Sequence, residues 1–233
     1  RFGTEFEGKN IVMTVGAAGG LNVILKSLLN PADEVIVFAP YFVEYNAYVR
    51  NYDGNVVIIS PDTETFMPKL DEFEAKITAR TKAVIINNPN NPTGVVYDEA
   101  TIKALAAIME KKEKGCVNAP SLIQKALQYC IQHDVTVDLA TYEKNRNLIY
   151  GALTEYGFTC AKPDGAFYLF VKSPVEDEKE FCEVAKKHHV LVVPGSSFAC
   201  PGYVRLAYCV SYEQIERSLP AFKEIAKEYG LCK

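Results

Sequence analysis

Two stretches of the chain hold residues whose types and spacing could do chemistry. The first is "NNPNNPTG", residues 87–94, which follows the apolar run "KAVIINN". That run reads as a buried strand, so the loop lies at a strand's carboxyl end, where open α/β sheets bind ligands. Asn91-Pro92 is a candidate cis peptide, because only X-Pro bonds adopt cis cheaply. The same Asn, Pro and Gly content also marks ordinary turns. The second stretch is "TVGAAGGLNVILKSLL", residues 14–29. A strand, a small-residue turn and a helix N-terminus make a seat for a phosphate, with backbone N–H groups and the positive helix end facing the anion. A βα turn that binds nothing has the same composition. A dinucleotide fingerprint is excluded, since G-x-G-x-x-G is absent and no acidic residue ends the next strand.

These loops need a frame. In the first half, strands over 10–15, 34–40, 55–60 and 82–88 alternate with helices. The predicted helices are 21–29, 41–54 closed by Gly54, a short one from about Asp71, and 98–114 capped by Asp98. "GAAGG" reads as a turn. The alternation argues for an α/β sheet, mostly parallel, with helices on both faces. The second half carries helices 120–133 and 135–156, strand 165–171, helix 177–188, strands 190–195 and 203–210, and a C-terminal helix that Pro220 should kink or split. It reads as a smaller α+β domain. The predicted division is 1–133, a partial large domain, and 134–233, a small one.

Composition narrows the class. The chain has 233 residues, 48% of them hydrophobic and 23% charged, as in an ordinary globular protein. A net charge of −4 gives no footprint for nucleic acid or an anionic membrane. No apolar run is long enough to span a bilayer. Seven cysteines without C-x-x-C spacing read as reduced thiols of a cytoplasmic protein, and with the three histidines they form no metal set. His188 and His189 read as surface residues.

Beyond single motifs, the chain resembles a fold-type-I pyridoxal-phosphate enzyme of the class I/II, aspartate aminotransferase-like group. The carriers, in the family's order, are "TVGAAGGL", "DEVIVFAPYF", "NNPNNPTG", "VNAPSLIQKA", "PDGAFYLF", "VVPGSSF" and "GYVRLAY". The resemblance implies a homodimer that moves an amino group between an L-amino acid and a 2-oxo acid. It implies that Gly16, Ala17 and Ala18 offer N–H groups to the cofactor phosphate, Phe42 stacks on the pyridine ring, Asn91 hydrogen-bonds the ring hydroxyl, and Arg205 salt-bridges the substrate's α-carboxylate. The chemistry suits these roles, because an aromatic face fits a flat heterocycle and a planar guanidinium fits a carboxylate. A C–S β-lyase of the same fold, and a non-catalytic remnant or dimerisation module, are the alternative readings.

Two residues that the family uses have no match here. The resemblance implies a lysine that forms the Schiff base and an aspartate on the pyridine nitrogen, both between the helix after "NPTG" and the "VNAPS" helix. That interval is the junction Lys114-Gly115, and no remaining lysine has the serine-rich context. Either the written sequence closes up over a stretch of a longer enzyme, or the polypeptide is truncated. On the first reading, these neighbours should stand farther apart than the roughly 3.8 Å of adjacent Cα atoms.

Overall fold

The computed structural model describes residues 13–111 and 138–232. The expected helix 120–133, the first three residues of the expected strand 10–15, and the Lys114-Gly115 junction lie outside the described residues.

The first half runs α1 (Gly16–Leu28), β1 (Glu34–Phe38), α2 (Glu44–Arg50), β2 (Asn55–Ile59), α3 (Leu70–Lys76), β3 (Thr81–Ile85) and α4 (Glu99–Lys111). All three strands are parallel, in the order β2-β1-β3. β1 lies in the middle, and its alternate side chains explain its unbroken apolar sequence. Val35 packs with Leu25, Val49 and Ala83 on one face, while Ile36 and Phe38 pack with Ile59, Phe73, Leu105 and Met109 on the other. A strand covered on both faces has no polar side to show. Asp98 caps α4 as expected, its carboxylate accepting from the Thr101 N–H at 2.7 Å.

One expectation here fails. "GAAGG" is not a turn before the helix but its first turns, since α1 begins at Gly16. Met13 and Thr14 have no regular structure, so the part of the expected strand that is described is not a strand. Gly20 is buried in α1, and Asn22 ties the helix to α2 through hydrogen bonds from Asn51 and Tyr52. Packing therefore decides the helix where glycine propensity argues against it.

The second half runs α5 (Leu139–Glu155), β4 (Tyr168–Lys172), α6 (Glu178–Lys187), β5 (Val193–Pro194), a 3₁₀ turn (Gly195–Phe198), β6 (Tyr203–Ala207) and α7 (Tyr212–Glu228). Its antiparallel sheet has the order β4-β6-β5. Leu169, Val171, Val204 and Leu206 face a core that includes Ile149, Leu153, Phe181, Ile215, Phe222 and Ile225 from the helices. Burying each such side chain contributes roughly 1.5–3 kcal/mol. Two expectations need correction. The strand over 190–195 shrinks to two residues, because His189 turns the chain with φ +61° and Pro194 has no N–H to donate. α7 runs unbroken through Pro220, which is not a split point. Pro220 lies on the exposed side, and the Glu216 carbonyl that loses its partner belongs to an exposed residue in reach of water.

A third cluster joins the halves. Phe66, Val95 and Tyr97 from the first half pack with Phe170, Phe198 and Cys200 from the second.

Candidate active site

Arg205 is the centre of the site. Its strand neighbours Val204 and Leu206 enter the helix-side core, so the arginine faces the other way, towards the first half. One terminal nitrogen, Nη1, donates to Asn91 Oδ1 at 3.1 Å. The guanidinium carbon stands 4.4 Å from the Tyr168 ring centroid and 4.7 Å from that of Phe198. Both distances are in range for cation–π attraction. Nε is buried and has no partner among the described residues. Burial draws the guanidinium below its ordinary value, with Tyr168 and then Cys209 pulling the other way. An arginine stays charged through such a shift. No carboxylate among the described residues pairs with it. A desolvated cation with a spare N–H and no counter-ion is costly alone, and a planar carboxylate supplies both the charge and the acceptor.

The loop that presents Asn91 is held by its own amides. Asn90 is buried, donates through Nδ2 to Pro40 O at 3.3 Å, and accepts from the Thr93 N–H and hydroxyl at 3.1 and 2.8 Å. Asn88 Oδ1 accepts from Tyr97 N at 2.8 Å. With its amide turned to satisfy both neighbours, Asn87 accepts from Asn91 N at 3.0 Å. Asn91-Pro92 is cis, as the sequence allowed, and so are Ala39-Pro40 and Asn88-Pro89. Asn91 Nδ2 makes no hydrogen bond among the described residues and is free to donate.

The remaining candidates stand around this pair without touching it. Phe42 is half-buried, edge-on to Tyr45 at 5.8 Å. It follows Tyr41, whose N–H donates to Phe198 O at 3.1 Å. Gly16, Ala17 and Ala18 form the first turn of α1, with no side-chain cap and no acidic residue in that turn. A β-carbon at Gly16 would meet nothing within 4 Å. No hydrogen bond among the described residues links this turn, or Phe42, to Asn91 or Arg205. The sequence did not single out Tyr168 and Phe198. Both sit inside quoted motifs, "PDGAFYLF" and "VVPGSSF", but the place of Tyr168 beside Arg205 depends on the antiparallel register that sets it opposite Ala207, and that of Phe198 on the 3₁₀ turn before β6.

Parallel strands with an asparagine-rich loop at their carboxyl ends, joined to a small antiparallel sheet whose Arg205 reaches that loop, make a two-part α/β fold. The family model for aminotransferase class I and II matches residues 2–119 and 114–222, and the chain belongs to that family. It is a pyridoxal-phosphate-dependent aminotransferase with the aspartate aminotransferase-like fold. An aminotransferase of known structure from Eubacterium rectale is 34% identical, with a TM-score of 0.86 over 98% of this chain and 76% of its own. The Thermus thermophilus aspartate aminotransferase structure with maleate is 27% identical, with a TM-score of 0.80 over 92% of this chain and 75% of its own. Among curated relatives, the aspartate aminotransferase of Thermotoga maritima is 27% identical over 292 positions, covering 96% of this chain and 77% of its own. An alignment of 292 positions exceeds the 233 residues of the chain, so part of that relative has no counterpart here. These matches favour neither the β-lyase nor the non-catalytic reading.

Proposed function

We propose that Arg205 and Asn91 together read an amino or 2-oxo acid substrate and the cofactor beside it. Arg205 would take the α-carboxylate on its unpartnered Nε, and Asn91 would donate its free Nδ2 to the ring hydroxyl of the cofactor. The open first turn, Gly16 to Ala18, suits the phosphate, and Phe42 offers the ring a face. When bound, pyridoxal phosphate supplies the electron sink that lets an amino group leave one carbon skeleton and join another. The residues of this chain hold its two ends and orient the acid. The observation that carries the reading is the buried, unpartnered Nε of an arginine that has no carboxylate partner among the described residues.

The lysine is a separate matter. Lys76 donates to Glu72 and Ile58 O, Lys103 pairs with Glu99, and apart from Lys76 and Lys82 every lysine whose side chain is described is exposed. The reacting lysine therefore belongs, in this reading, to positions of the relatives without counterpart here, at the Lys114-Gly115 junction. We further infer a boundary near residues 133–134, a homodimer, and a cytoplasmic setting. The free state of Cys160, Cys182, Cys200, Cys209 and Cys232 supports the last.

Two measurements test this. Titration calorimetry with succinate should show binding that Arg205→Ala abolishes; equal binding by both proteins rejects the arginine's role. Amino exchange between L-aspartate and 2-oxoglutarate should need the longer polypeptide. Turnover by a 233-residue chain of verified intact mass would show that the lysine lies within it.

A further inference from the structure

We propose that Glu178, a carboxylate outside the substrate site, is a positioning residue that sets the affinity of Arg205 for carboxylates by holding Phe198 against it. The proposal rests on the reading of Arg205 given above. Glu178 opens α6 yet is only 4% exposed, an unusual place for a carboxylate with no cation paired to it among the described residues. Its oxygens are taken up by the segment 196–202, through the backbone N–H groups of Ser196 and Gly202 and the Ser196 side chain. Oε1 accepts from Ser196 N at 3.2 Å and Oε2 from Gly202 N at 3.0 Å. One side chain thereby clasps both ends of the segment 196–202. Burial drives the Glu178 pKa upward, but the Gly202 and Ser196 donors outweigh it and leave the carboxyl below its ordinary value.

The clasped segment is tight in its own right. A β-carbon on Gly195 would lie 2.2 Å from Cys200 O and 2.7 Å from Tyr203 O. At its centre is Phe198, 4% exposed, whose ring flanks the Arg205 guanidinium and whose carbonyl accepts from Tyr41 N. The segment runs directly into β6, the strand of Arg205. Loosening either end lets the ring withdraw from the cation and frees the arginine's rotamers, which a ligand must then order again.

Glu178→Gln keeps the volume but turns one oxygen into an NH₂ group that faces an N–H donor, so one clasp opens. Succinate should then bind roughly fivefold more weakly. The Arg205 Nε–Hε resonance, displaced by the Tyr168 and Phe198 rings, should move towards its unstacked position. Glu180→Gln, on the exposed side of the same turn, should change neither. Phe198→Leu leaves the clasp intact and should reproduce both changes, which carries the test if Glu178→Gln fails to fold. An Arg205 resonance that stays in place in the folded variants overturns the proposal. So does unchanged succinate affinity beside a displaced resonance. Absence of succinate binding by the unaltered protein would instead reject the carboxylate reading, and the resonance would still decide whether Glu178 positions the arginine.

Discussion

A β-carbon on Gly165 would stand 2.6 Å from Pro89 Cγ, so the loop before β4 lies directly against the asparagine-rich loop after β3. Gly94 completes the contact. It has φ +74°, its carbonyl accepts from Asp164 N and Gly165 N at 3.1 and 2.9 Å, and a β-carbon there would be 2.5 Å from Pro163 Cβ. The two halves meet backbone to backbone, with no room for a methyl group.

Gly94→Ala should therefore cost about 3 kcal/mol or more, combining left-handed strain with overpacking. Gly151→Ala supplies the contrast, since this glycine lies exposed inside α5 with nothing within 4 Å of a β-carbon. It should stabilise by about 0.5–1 kcal/mol. Urea midpoints of the two variants should move in opposite directions.

Arg205→Lys keeps the charge but loses the fork and the stacking between Tyr168 and Phe198. Hydrogen bonds to charged groups contribute about 1.5–3 kcal/mol, so succinate affinity should fall by roughly thirtyfold. Calorimetry reads this directly, and an affinity unchanged within error would mean that only charge matters.

Alkali should weaken the fold before any surface group explains it. Burial pushes the Tyr97 hydroxyl from 10.0 up to about 12, with the Asn90 amide offsetting a part. Burial also pushes the Cys200 thiol from 9.0 up to about 12, with the Glu178 charge adding to it. Both groups are held neutral in the folded chain while the unfolded chain ionises. Their contribution is whole below the unfolded values and is lost as pH rises towards about 12. Denaturant midpoints should decline from about pH 9 upwards, less steeply in Tyr97→Phe. Thiol reagents should reach Cys200 only on unfolding.

Pro220→Ala restores an N–H for the Glu216 carbonyl in the middle of α7. Proline costs about 3 kcal/mol relative to alanine inside a helix, so the variant should be more stable by about 1–3 kcal/mol. A melting temperature that fails to rise would mean that the helix has already relaxed around the ring.

Much of this architecture is written in local pattern. The apolar run of β1 foretold burial on both faces, and Asp98 foretold the start of α4. Asn91 and Arg205 could be singled out as candidates, because each sits in a distinctive motif. The relation between them was not, since 114 positions separate two residues that hydrogen-bond. Phe198 and Glu178 stayed hidden for the same reason, for their roles come from contacts that only folding creates. The first turns of α1 misled because glycine reads as a turn whenever packing is out of view.

The setting of Arg205 has a consequence for speed and selectivity. Its side chain is tethered by Asn91 and sandwiched between two rings before any acid arrives. An ordinary arginine gives up about 0.5–1.5 kcal/mol of rotational freedom when a ligand fixes it. Here the tether and the two rings restrict that freedom in advance, so on the proposed reading of Arg205 a carboxylate would cost less ordering of the guanidinium, and acids that need it to swing far would bind more weakly.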